Sequence, residues 1–190
     1  MNGASLARTR SSAFPTDWTV HWWEAALLLG SGVAAVVLHR SLDFLHGLPG
    51  HHGVEWMALL ILGRTASRFR GAGSLAGIGA SLASMLPVGR GGDPFAPLLY
   101  LLPGPVMDAA FRYAPRLIST AWFLILLGGI AHITRPLARL IIAAGSGWVF
   151  GSFHWGVAWP LASHFLFGAA GGLLGALIAL GLKTAGRNAD

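Results

Sequence analysis

Apolar runs of about 17–25 residues, the length that crosses a hydrocarbon core, alternate with short gaps that carry most of the charge. The first run is Trp22–Leu38, "WWEAALLLGSGVAAVVL", where Trp22 and Trp23 are placed as interfacial anchors. The second starts at Gly53, "GVEWMALLILGRTASRF", and ends in arginines. The third, Gly71–Val88, is mostly Gly, Ala and Ser. The fourth, Phe95–Tyr113, is interrupted by Pro103-Gly104-Pro105, the fifth is Leu117–Thr134, and the last is Ala162–Leu182. Residues 137–160 are too apolar for a plain loop, yet Gly145, Gly147, Gly151, Gly156 and Pro160 break them repeatedly. They suggest either a seventh short span or a partly re-entrant segment, which the membrane tolerates only where it is buried or lines a cavity.

The distribution of positive charge sets the orientation. With six spans and the N-terminus inside, the inner segments hold Arg8, Arg10, Arg64, Arg68, Arg70, Arg112, Arg116, Lys183 and Arg187. The outer ones hold only Arg40, Arg90, Arg135 and Arg139. A seventh span would move Lys183 and Arg187 outside and weaken that asymmetry. The expectation is an all-α integral membrane protein, a compact bundle of about six transmembrane helices with both termini cytoplasmic. Residues 1–21 form an inner tail, 22–183 the membrane domain with an outward loop at 39–53, and 184–190 a second inner tail. The apolar run from Trp22 reads as an uncleaved first span, since no small-residue cleavage site follows a short apolar core.

Composition agrees with a lipid solvent. Only 11% of the 190 residues are charged and 54% are hydrophobic, whereas a soluble domain carries about 25% charged residues. The absence of Cys excludes disulfides, thiolate metal sites and Cys nucleophiles. There is no H-E-x-x-H and no phosphate loop, so the chain is not expected to be an enzyme. Any active transport would draw ATP hydrolysis from other subunits. The net charge of +6 lies in gaps beside apolar runs, which suits anionic lipid headgroups. No cluster of basic residues with exposed aromatics points to nucleic acid.

Small residues four apart let membrane helices meet backbone to backbone. Gly73, Gly77 and Ala80, Gly168 with Gly172, and Gly171 with Gly175 predict internal packing. Ala26, Gly30 and Ala34 form an unbroken stripe on the first helix that serves either the bundle or a partner.

A basic N-terminus, this first helix and a long outward loop are followed by "RGAGSLAGIGASLASMLPVG", "PFAPLLYLLPGPVMDAAF" and "HFLFGAAGGLLGALIALGLKTAG". From Glu24 on, the chain resembles the substrate-binding S-components of energy-coupling factor importers. The resemblance implies capture of a small organic micronutrient, a vitamin or precursor, at the outer face of a bacterial or archaeal inner membrane. It also implies docking of the Ala26–Gly30–Ala34 stripe onto a transmembrane coupling protein driven by two ATPases. No cofactor is implied. The loop after the first helix would close over the substrate, with contacts from the outer ends of later helices, here residues 39–56 and 145–164.

The candidate chemistry lies in those segments. In "HRSLDFLHGLPGHHGVEW", residues 39–56, a continued first helix would put His39, Asp43 and His46 on one face, and His51, His52 and Glu55 could complete a shell. Such a donor set suits Zn, Ni, Co or Fe. Gly47, Pro49 and Gly50 break that helix, so a substrate-contacting lid and a solvated loop remain as readings, and the lid is preferred. His132 and His164, near the outer ends of two spans, either hold a haem or hydrogen-bond between helices. Trp148, Phe150, Phe153, Trp155 and Trp159 suit an interfacial belt or, with Trp56, Tyr100 and His154, a stacking pocket. Asp108 and Arg112, four apart, predict an ion pair within one helix.

Overall fold

The computed structural model describes residues 18–41, 48–86 and 93–187. Its elements are helices: α1 (Trp22–Ser41), α2 (Gly53–Ala66), α3 (Ala72–Ser84), α4 (Ala96–Leu101), α5 (Pro103–Tyr113), α6 (Ala121–Ser146), a 3-10 turn (Gly151–Phe153) and α7 (Ala158–Arg187). Leu102, alone between α4 and α5, keeps helical backbone at φ −58° and ψ −40°. Residues 96–113 are therefore one rod with a flaw at Pro103, which has no N–H to give the preceding turn. The described helices make six rods.

The rods alternate in direction. Gly32 of α1 lies against Ala76 and Ala80, and the Arg40 guanidinium donates to the Ser84 and Leu86 carbonyls, so α1 and α3 run parallel. Gly73 and Gly77 meet Gly104 and Leu101, which makes α3 and α5 antiparallel. Gly128 meets Gly168 and Gly172 where α6 crosses α7 in the opposite sense. Gly171 and Gly175 meet Gly53, Ala58 and Ile61 of α2. Close backbone approach at small residues replaces the hydrophobic driving force that lipid does not supply.

α2 is the central helix. Trp56, Met57, Leu60 and Ile61 are buried and pack with Ala35, Ala76, Ala80, Tyr100, Leu127 and Ala131. By contrast α1, α6 and α7 expose Leu27, Val33, Val37, Leu126, Ile130, Leu166 and Leu177. Among the described residues, three helices are long and apolar enough to cross a membrane: Trp22–Ser41, Ala121–Ser146 and Ala158–Leu182. At 1.5 Å per residue, the 14 residues of α2 and 13 of α3 are each shorter than the roughly 30 Å hydrocarbon core.

Several boundaries differ from the apolar runs, most of all around residues 134–160. The fifth run, expected to stop at Thr134, continues to Ser146 and ends where Gly147 adopts φ +70°. Arg135 and Arg139 do not end it because both have partners inside the protein. Segment 137–160 is divided among the last turns of α6, an irregular connection with the 3-10 turn, and the first residues of α7. Pro160 falls in the first turn of α7, where a missing N–H costs nothing.

Asp108 does not pair with Arg112. Its carboxylate takes the backbone N–H of Gly73 at 2.9 Å and of Ser74 at 2.8 Å, and meets Arg64 Nε at 3.0 Å. Arg112 instead lies over the Tyr113 ring. A carboxylate at the start of α3 satisfies amides that the helix cannot bond itself, and it neutralises the buried Arg64.

Candidate metal centre

Three histidines from three segments converge at the end of the bundle where α1 stops and α2 begins. His52 closes the turn before α2, His132 lies midway along α6, and His164 lies near the start of α7. Each offers a ligand nitrogen, and all three nitrogens lie within 4.8 Å of one another. Ring centroids are 4.8 Å apart for His52 and His132, 4.9 Å for His132 and His164, and 5.8 Å for His52 and His164. His132 and His164 are 0% and 1% exposed, so no solvent satisfies their nitrogens.

Glycines make room for these rings. Gly50 has φ +85°, a conformation that favours glycine, and a Cβ there would lie 2.8 Å from the His164 ring. At Gly53 a Cβ would lie 2.6 Å from the His132 ring. The tight turn brings the Gly50 carbonyl to 3.2 Å from His132 Nε2, which donates to it. His164 Nδ1 donates to the Pro160 carbonyl at 2.7 Å.

Those two bonds leave His132 Nδ1 and His164 Nε2 as bare lone pairs, buried and without a hydrogen-bond partner. A ring N–H fixed on a carbonyl, with the opposite nitrogen unpaired, is the arrangement in which metal-bound histidines are usually found. His52 Nε2 accepts from the Arg135 guanidinium. Burial first, then the charge of Arg135, hold the His52 imidazole well below its ordinary pKa, so it is neutral near pH 7.

The donor set fits a single ion. Three neutral imidazoles suit Zn, Cu, Ni or Co and offer nothing to Mg or Ca. Zinc–imidazole bonds of about 2.0–2.1 Å place tetrahedral nitrogens about 3.4 Å apart, so loading would draw the rings inward by roughly an ångström. Haem does not fit. Gly128 and Gly168 bring α6 and α7 into backbone contact one turn from His132, which leaves no slot for a macrocycle between the rings.

The other anticipated residues divide between this site and elsewhere. His39 sits at the rim, 4.8 Å from His52 between ring centroids, with Nδ1 3.5 Å from Glu55 Oε1. The His51 ring is 5.5 Å from that of His39, and its Nδ1 donates to the Leu48 carbonyl. Trp56 and Tyr100 form a buried edge-to-face pair at 5.3 Å, next to Arg135. Asp43 and His46 lie outside the described residues. Trp148, Trp155 and Trp159 are 48%, 74% and 47% exposed, and among the described residues no ring contact joins them to His52, His132 or His164. Trp148 packs on Phe95, while exposed His154 bonds Gly151 and packs on Trp155. Ala26, Gly30 and Ala34 are all exposed, and a Cβ at Gly30 would meet nothing within 4 Å.

Arg135 is the residue that sequence reasoning misplaced, having counted it as a loop charge. It is 5% exposed, with its Cζ 4.4 Å over the Tyr100 ring. Its signal was available: an ionisable residue within an apolar stretch, three positions after a histidine, is a functional candidate. Comparisons with protein-family models, with curated proteins and with solved structures found no match, so function must be read from the chain's own geometry.

Proposed function

We propose that this chain is a multi-pass membrane protein that captures a divalent late-transition-metal ion with His52, His132 and His164. The observation that carries the reading is the pair of buried lone pairs on His132 and His164, each opposite a ring N–H anchored on a backbone carbonyl. The ion is cargo. In this reading the protein is the capture subunit of an importer resembling the energy-coupling factor S-components, and the metal takes the place of the organic micronutrient. The exposed Ala26–Gly30–Ala34 stripe is the surface for the coupling protein, which two ATPases drive. All six rods lie in a bacterial or archaeal inner membrane with both termini cytoplasmic. Buried Arg64 and Arg135 carry no topological weight, and removing them from the charge tally leaves eight inner against three outer positive residues.

The test is metal analysis and Co2+ titration of the full chain purified in detergent. Near-stoichiometric binding that disappears in His132→Ala/His164→Ala supports the reading. Absence of binding, or binding unchanged in the double variant, refutes it.

A second reading keeps the organic micronutrient. It is favoured by a cavity of about 370 Å3 bordered by the Asp93–Arg139 ion pair, Trp148 and Phe150. A co-purifying organic ligand released by Trp148→Ala, with no metal bound, would select it.

A further inference from the structure

A cation site beside a buried arginine is electrostatically incomplete. His132 and Arg135 are three residues apart on α6 and so share a face, and the guanidinium donates to His52 Nε2 within the triad itself. Arg135 is 5% exposed, and its Nε is buried without a hydrogen-bond partner. The carboxylates of the described residues are engaged elsewhere. Glu24 accepts from Ser67, Glu55 faces His39, Asp93 holds Arg139 and Asp108 holds Arg64. Tyr100 offers a cation–π contact and a side-chain hydrogen bond but no negative charge, and Asp93 acts on Arg135 only at longer range from its pairing with Arg139. A divalent ion on three imidazoles would therefore add two charges next to a third that no carboxylate of the described residues contacts directly, where little water can screen them.

We propose that the site binds its metal together with a small anion, a carboxylate or halide-like donor, held between the ion and the Arg135 guanidinium. This rests on the metal reading above. The anion supplies the donor that the histidines lack. It also accepts the N–H that Arg135 now gives to His52, which frees His52 Nε2 for the ion. Arginine suits the role because its charge persists when buried and its planar fork matches a carboxylate. The anion arrives either free in solution or as part of a metal chelate.

The test is Co2+ titration of the full chain in detergent, followed by the cobalt d–d absorption, in a perchlorate buffer and then with azide, acetate or citrate added. The wild type should bind Co2+ about 10-fold more tightly with the coordinating anion, and the absorption envelope should shift. Arg135→Gln should lose the anion response and Arg135→Lys should keep part of it. An effect reproduced by azide or acetate indicates a free anion, and one given only by citrate indicates a chelate; either supports the proposal. Wild-type Co2+ binding indifferent to the anion overturns it without need of any variant, as does a full anion response in Arg135→Gln. Absence of Co2+ binding in every buffer overturns the underlying metal reading as well, which keeps the two failures distinct.

Discussion

His132 and His164 face each other across α6 and α7 with ring planes 29° from parallel, and each gives one ring N–H to a backbone carbonyl, that of Gly50 and that of Pro160. Two buried nitrogens with bare lone pairs are costly to keep unless something visits them. An ion bound at 100 times its Kd would stabilise the fold by about 2.7 kcal/mol. Added Co2+ or Zn2+ should raise the thermal midpoint of the wild type, and the rise should vanish in His132→Ala and in His164→Ala. A midpoint that rises equally in the variants would place the ion elsewhere.

Gly53 permits the approach of His132. Gly53→Ala puts a methyl against that ring and 2.9 Å from the Gly168 backbone nitrogen, so ring and helix must both give, and overpacking of this kind costs about 1–3 kcal/mol. Metal affinity should fall by about 10-fold or more, as when a supporting contact of a ligand is lost, while the protein still purifies as a folded monodisperse species. Isothermal titration of Gly53→Ala beside Gly63→Ala separates the site effect from a general one. Gly63 has a Cβ position with ordinary contacts only, at 3.5 and 3.6 Å.

Asp108 should matter far more to stability than Arg112. Asp108→Asn leaves Arg64 buried without its counter-charge, which costs about 3–5 kcal/mol. Arg112 is exposed, and Arg112→Gln should change stability by less than about 0.5 kcal/mol. Denaturation in mixed micelles would rank the two, and equal effects would contradict the pairing with Arg64.

Acid should loosen the site. His52 is held neutral in the folded chain, by burial first and Arg135 second, whereas its unfolded pKa is about 6.5. Below that value the unfolded state binds a proton that the folded state does not, so stability contributed at higher pH is lost as pH falls through about 6.5. Protons also compete with metal for the same nitrogens. The thermal midpoint of the metal-free protein should drop between pH 7.5 and 5, and His52→Gln should flatten that drop. An unchanged profile in the variant would remove His52 as its origin.

The apolar run lengths reveal the long helices, and small-residue spacing correctly marks Gly73, Gly168, Gly171 and Gly172 as helix contacts. His52 and His164 are legible as candidates because both border apolar runs. Their joining with His132 depends on how α2, α6 and α7 pair, which no local pattern encodes. Arg135 and Arg139 resemble the end of a span because a charge in lipid is expensive. Only tertiary partners, Tyr100 with His52 for one and Asp93 for the other, let the helix continue past them. Spacing along one helix predicts an Asp108–Arg112 pair, yet Asp108 bonds across to α2 and α3. The clustered tryptophans suit an interfacial belt or a stacking pocket equally, because local density in sequence does not tell whether rings face inward or outward.

Central α2 begins one residue after His52 and carries Arg64 in its last turn, locked to Asp108. A short, stiff helix of this kind acts as a lever with its fulcrum at the Asp108 end. In the proposed metal reading, an ion that draws the histidine triad together pulls on the turn that opens α2, which Gly53 ties to Gly168 and Gly171 of α7, while Arg64 and Asp108 hold the other end. On that proposal, occupancy of the triad at one end would be felt at the other, where Glu24 of α1 accepts from Ser67 just after α2.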